Sequence, residues 1–240
     1  MKIFSLPLLV LVASLAVFAS ADEKQAASGQ APPAKPGKQV RCEIVPLLPG
    51  SQSKPGDREK EQAYCAIDFS GKSLAVCPKT WSTSPAALVY DLVGTDWEDK
   101  ADQFEREVCA IGGHARDKAR SELAVFKNSL NGRETSGTYA PASLLYYHFS
   151  RFLQTRVQVP VAVIAEFPAA DYLQRVAEPG LAFSGSSRQK MLHAGWLEMQ
   201  QALESPQSYG HRASLFTADG QHLWGVMLMF AGKRYGAEIN

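Results

Sequence analysis

Neither sign of charge predominates in this chain: 25 Lys and Arg stand against 24 Asp and Glu over 240 residues. Such a balance offers no field to attract nucleic acid or an anionic membrane surface, and no nucleic-acid partner is expected. Long hydrophobic runs are scarce too. Beyond the first 18 residues no stretch is apolar over the roughly 20 residues needed to cross a bilayer, so no transmembrane anchor is expected. Several chemical motifs are missing. There is no H-E-x-x-H, and His114, His193, His211 and His222 are too scattered to suggest zinc. No G-x-S-x-G elbow presents a serine nucleophile. Gly71-Lys72-Ser73 looks like the end of a P-loop, but Ala66 stands where that motif requires glycine.

What is present begins with a leader. Lys2 precedes the apolar run Ile3 to Phe18, interrupted only by Ser5, Pro7 and Ser14, and Ala19-Ser20-Ala21 supplies small residues for cleavage. The pattern predicts a signal peptide over residues 1–21 and a secreted or periplasmic protein. No cysteine follows the cleavage site closely enough for a lipid anchor. Residues 22–39 are rich in Ala, Pro, Gly, Lys and Gln without apolar periodicity, which predicts a flexible linker.

Four cysteines, Cys42, Cys65, Cys77 and Cys109, lie too far apart in sequence for a C-x-x-C metal site. In an oxidising compartment they predict two disulfides, with three pairings open. A disulfide-bonded N-terminal region is therefore expected over residues 40–110. Short strands fit Arg41 to Val45, Tyr64 to Phe69, Ser73 to Cys77 and Ala86 to Val93, with a turn at Pro55-Gly56-Asp57. Asp96 reads as the cap of a helix carrying Trp97, Ala101, Phe104 and Val108 at helical spacing, stopped by Gly112-Gly113.

The second half reads as a buried strand ending at Phe126-Lys127, a polar loop over 128–137, and a helix from Pro141 to Gln154. That helix carries Leu144, Leu145, His148 and Phe152 on one side. Val157 to Phe167 fits a strand that Pro160 would confine to an edge or a bulge. Helices fit Ala169 to Ala177 and Arg188 to Leu203, and a hairpin closes the pattern: Ala213 to Thr217, a turn at Ala218-Asp219-Gly220, then Leu223 to Phe230.

Within this half, Ala124-Val125-Phe126-Lys127 is followed six and seven residues later by Arg133-Glu134, then by His148, Arg151 and Val159-Pro160. This order resembles the small lobe of secretory-pathway atypical kinases of the Golgi casein kinase type, over about Ser121 to Glu166. The resemblance implies an α+β fold over residues 111–240: a kinase-like small lobe, an antiparallel sheet with a packed helix, bearing a helical insert. It implies a strand lysine, Lys127, that reaches the phosphates of ATP accompanied by Mg or Mn. The family's helix carries a glutamate partner for that lysine where Ser143 stands here, which leaves Glu134 as the candidate. Gly112 and Gly113, followed by His114, Arg116 and Lys118, are candidates for a loop over phosphates, because backbone donors and positive charge suit an anion.

The family's base and metal-binding acids belong to a second, helical lobe that this chain does not contain. The resemblance thus implies a pseudokinase-like or truncated small lobe, catalytically inactive, whose apolar strand Val226 to Phe230 would be covered by the missing lobe or by a partner chain. The alternative is an exported binding or adaptor module without nucleotide chemistry.

Overall fold

In the computed structural model, residues 41–109, 114–130, 132, 135, 137–185 and 190–229 are described. Residues 1–40, where the signal peptide and linker are expected, and Gly112-Gly113, Arg133-Glu134, Arg188 and Phe230 lie outside them. The described residues belong to one compact unit.

The class is α+β, as expected. Six strands form one sheet in the order β1-β5-β6-β4-β3-β2, with every pairing antiparallel. They are β1 (Cys42–Glu43), β2 (Leu74–Pro78), β3 (Ala87–Asp91), β4 (Ser121–Lys127), β5 (Ala162–Pro168) and β6 (His222–Leu228). The sheet thus takes strands from both sides of residue 110. Two disulfides, Cys42–Cys65 and Cys77–Cys109, settle the pairing that the sequence left open.

The β2–β3–β4 half is covered on both faces, and its side chains alternate accordingly. Ala75, Cys77, Leu88, Tyr90 and Val125 pack with Phe104, Val108 and Ala115 of the segment that holds α2 (Ala101–Glu107) and α3 (Ala115–Lys118). Val76, Ala87, Val89, Ala124 and Phe126 point into the larger core on the opposite face. That core holds Phe69, Phe126, Phe167 and Tyr172 in edge-on and tilted contacts, together with Trp196 and Met199 of α7 (Lys190–Glu204). At the outer edge of β2 the Val76 amide donates to Glu105 at 2.7 Å, and Arg175 donates to the same carboxylate at 2.6 and 3.0 Å. One buried ion pair therefore joins α2, an edge strand and the helix carrying Arg175.

Several elements depart from the sequence reading, each for a local reason. Tyr64 to Phe69 is not a strand: α1 (Asp57–Cys65) runs through its start. Its buried stripe is Asp57, Glu61 and Tyr64, mostly polar, so a search for apolar periodicity passes over it. The helix expected from Asp96 begins only at Ala101, because the chain turns at Asp99 with φ 58°. Pro160 precedes β5 instead of interrupting it, and β5 lies inside the sheet between β1 and β6. The helix from Ala169 runs on to Gly185: α5 (Ala169–Tyr172) passes through a π-helical segment (Leu173–Ala177) into α6 (Glu178–Gly185). Pro179 cannot donate to the carbonyl four residues back, and the wider π turn sits just before it.

Ala213 to Thr217 is mostly the helical turn α8 (Arg212–Leu215), with only Phe216 bridging to Leu223 across the Asp219-Gly220 turn. Val226, Met227 and Leu228, expected to need an outside cover, are buried between β4 and β5 by this chain itself.

Candidate functional site

The strand register fixes what surrounds Lys127. Val125 pairs with Leu228, Lys127 with Val226, and Phe126 with Met227. Directly paired residues project to the same face, so Phe126 and Met227 enter the large core while Lys127 and Leu228 project from the opposite face. Over that second face lies α4 (Pro141–Phe152), packed on β5 and β6.

Between this helix and the sheet is a hollow of about 520 Å³. Lys127 and Leu228 line it from the sheet, Ser143, Tyr146, Phe149 and Ser150 from the helix, and Leu153, Thr155, Val157, Val159 and Pro160 from the segment that follows. Lys127 therefore lines a hollow between the sheet and α4. Ser143 lines the same hollow. Burial, reinforced by the nearby charge of Lys79, pushes the Lys127 amine below its ordinary pKa.

The outer wall is built by local backbone chemistry. Helix α4 ends with Leu153 still helical and Gln154 left-handed at φ 51°, and the Thr155 amide donates back to the Ser150 carbonyl at 3.0 Å. This closing turn reverses the chain and sends residues 155–160 along the rim. Lys54 then clamps the rim, its Nζ donating to the carbonyl oxygens of Thr155 at 2.9 Å and Val157 at 3.3 Å.

Beneath the hollow, α4 is joined to α1 through buried polar groups. Arg151 donates to both oxygens of Asp57, at 2.7 Å each, with both side chains almost fully buried. The same guanidinium donates to Ser150 Oγ and the Val159 carbonyl and lies 4.7 Å from the centre of the Tyr147 ring. Tyr147 donates to Glu61 at 2.8 Å. Burial pushes the Asp57 carboxyl up, but the bonds from Arg151 and the Lys54 amide, with the Arg151 charge, hold it below the usual carboxylate range. His148 is buried against Tyr147, and burial lowers its pKa although Glu61 opposes the shift. Both His148 and Arg151 therefore serve the helix interface, and neither lines the hollow.

The buried side of α4 is consequently Tyr147, His148, Ser150 and Arg151, not the stripe through Leu145 and Phe152, which are about half exposed. Tyr146, Phe149, Leu153 and Val157 were not anticipated as site residues. A signal for two of them exists in the sequence: Tyr146 and Phe149 lie three residues apart on α4 and so share a face.

Gly112, Gly113 and Glu134 lie outside the described residues, so the expected phosphate loop and lysine partner have no geometry here. Of the basic residues beside the glycines, Arg116 donates to Glu122 at 2.7 Å and Lys118 lies 5.9 Å from the centre of the Trp97 ring. No cluster of three or more His, Cys, Asp or Glu suited to a metal occurs among the described residues, and no helix there is long and apolar enough to cross a membrane. Compared with protein-family models, curated proteins and solved structures, the chain matches none.

Proposed function

We propose that this chain is an exported binding module whose ligand enters the hollow over Lys127, without phosphoryl-transfer chemistry. The observation that carries the reading is the hollow itself. Its volume falls within the range of about 300–1,000 Å³ typical of small-molecule sites, and its lining is mostly apolar with a few polar groups converging on it. No Asp, Glu or His stands among the described residues that line it. Those residues therefore supply none of the carboxylates that hold magnesium beside a phosphate. The leader supports export, and two disulfides suit an oxidising compartment.

The test uses the anionic dye anilinonaphthalene sulfonate with the folded, oxidised protein. Saturable binding at one site per chain is expected, abolished by Leu153→Asp at the rim with the folded state intact. Binding that is unsaturable, or indifferent to Leu153→Asp, would refute the reading.

A second reading, a kinase-like small lobe that retains nucleotide binding, is favoured by one observation: Lys127, at the end of β4, lines a hollow between the sheet and α4. Thermal unfolding with millimolar ATP and Mg²⁺ or Mn²⁺ separates the two. A ligand at a hundred times its Kd adds about 2.7 kcal/mol to stability, so a nucleotide-dependent rise that Lys127→Met abolishes would favour the kinase-like reading. No rise is expected.

A further inference from the structure

We infer that the outward face of α4, at the mouth of the hollow, docks on the surface of an anionic lipid bilayer. Lys54 and Arg156 would meet the headgroup phosphates, and the apolar side chains would enter the acyl boundary. The inference goes beyond the reading of the hollow and does not need it to take a small ligand. The face is a stripe: Leu145, Tyr146, Phe149, Phe152 and Leu153 fall within an arc of about 120° at about 100° per residue. All five are open to water, from 46% exposed for Phe152 to 67% for Tyr146. Val157, half exposed, carries the patch across the mouth, since it lines the hollow with Tyr146, Phe149 and Leu153. The other side of the helix is the buried one, with Tyr147, His148 and Arg151. With 12 residues, α4 would lie on a bilayer and not span it.

Contiguous apolar groups left open to water mark a protein or membrane contact, and charge selects between them. Residues 48–56 and 139–161, which build the face and its rim, contain Lys54, Arg151 and Arg156 and no Asp or Glu. Arg151 is buried against Asp57. Lys54 donates to the Thr155 and Val157 carbonyls, which fixes its charge at the rim without cancelling it. Arg156, between those two residues, is exposed. Among the described residues neither cation forms an ion pair with a carboxylate. The balanced charge of the whole chain thus hides a local positive excess beside apolar groups, the combination that holds an interfacial helix on anionic lipid. Tyr146 suits the same boundary, its ring apolar and its hydroxyl wet. A second copy of this chain is a poorer occupant, because two-fold pairing through this face would bring two like-charged rims together.

The test sediments the oxidised protein, purified after export, with vesicles of phosphatidylcholine alone or mixed equally with phosphatidylglycerol. Two cations at an anionic surface correspond to about 30-fold tighter binding to the mixed vesicles at low salt. Arg156→Gln should lose about fivefold of that and leave binding to phosphatidylcholine unchanged. Leu145 is not among the residues lining the hollow, so Leu145→Asp should cut binding to mixed vesicles about tenfold or more while sparing dye binding in the hollow. Equal binding to the two vesicles, binding to neither, or binding that Leu145→Asp leaves unchanged would overturn the inference. So would a dimer that Leu145→Asp dissolves in a protein that ignores vesicles. Should Leu145→Asp fail to fold, Arg156→Gln decides, and unchanged binding to mixed vesicles would refute the docking. Failure on vesicles leaves dye binding untouched, and loss of dye binding leaves the vesicle result standing, so the two readings fail separately.

Discussion

Replacing Arg151 with methionine tests the construction of the site most directly, because it leaves Asp57 buried without its cation. The two side chains are 3% and 6% exposed and share two hydrogen bonds of 2.7 Å. Removing one partner of such a pair costs about 3–5 kcal/mol, chiefly because the remaining charge stays uncompensated. Domains are stable by only about 5–15 kcal/mol in total, so Arg151→Met should remove a large fraction. At about 2–4 °C per kcal/mol for a chain of this size, the thermal midpoint should fall by roughly 6–20 °C. Urea unfolding of the oxidised protein, followed by far-ultraviolet circular dichroism, gives the free energy directly. The decisive comparison is the double variant Asp57→Asn/Arg151→Met. Neutralising the stranded carboxylate should recover at least about 1 kcal/mol relative to Arg151→Met alone. A single variant within about 1 kcal/mol of the parent would refute the reasoning. So would a double variant in which Asp57→Asn adds its full cost instead of recovering part of it.

Acid should act in two stages. The depressed pKa of His148 means the unfolded chain binds its proton first, so stability should decline as pH falls below about 6.5, the ordinary histidine value, toward the folded one. Asp57, held below its ordinary value of 3.8, contributes stability above that pH and loses it as pH falls through the folded pKa. Urea midpoints measured from pH 8 to 3 should show the first step and the onset of the second, and His148→Gln should abolish the first alone. Gly180→Ala should destabilise by about 1–3 kcal/mol, since an added Cβ would stand 2.6 Å from the Trp196 ring. Alanine otherwise favours a helix by about 1 kcal/mol, so a rise in Tm would show that α6 and α7 do not meet so closely. Paired Cys77→Ser/Cys109→Ser should cost about 3–4 kcal/mol by freeing a loop of 32 residues in the unfolded chain. Unchanged urea midpoints would contradict that bond.

Much of the sheet is legible from side-chain alternation. Strands β2, β3 and β4 and helix α4 fall where their apolar and β-branched residues place them. Helix α1 was hidden because burial there follows the ion pair and the Tyr147–Glu61 bond, which no hydropathy pattern encodes. The rim was hidden for a related reason. Val157 to Pro160 has the composition of a strand, yet the left-handed turn at Gln154 and the clamp from Lys54 hold it away from the sheet. Position 154 holds glutamine, whereas glycine is the residue that signals such a turn. The disulfide pairing needed coordinates, since separations of 23 and 32 residues carry no preference of their own.

The bond between Cys42 and Cys65 encloses the stretch of chain that supplies Lys54 and Asp57. Those two residues are what hold the Thr155–Val157 margin and α4 in place, so oxidation and ligand capture are mechanically linked on the proposed reading. A freshly made, thiol-bearing chain would have its helix α1 moored only by side chains, and its cavity would be the first part to slacken. Loading with cargo would then follow export and oxidation and not precede them, and gentle reduction should release ligand before the sheet itself comes apart.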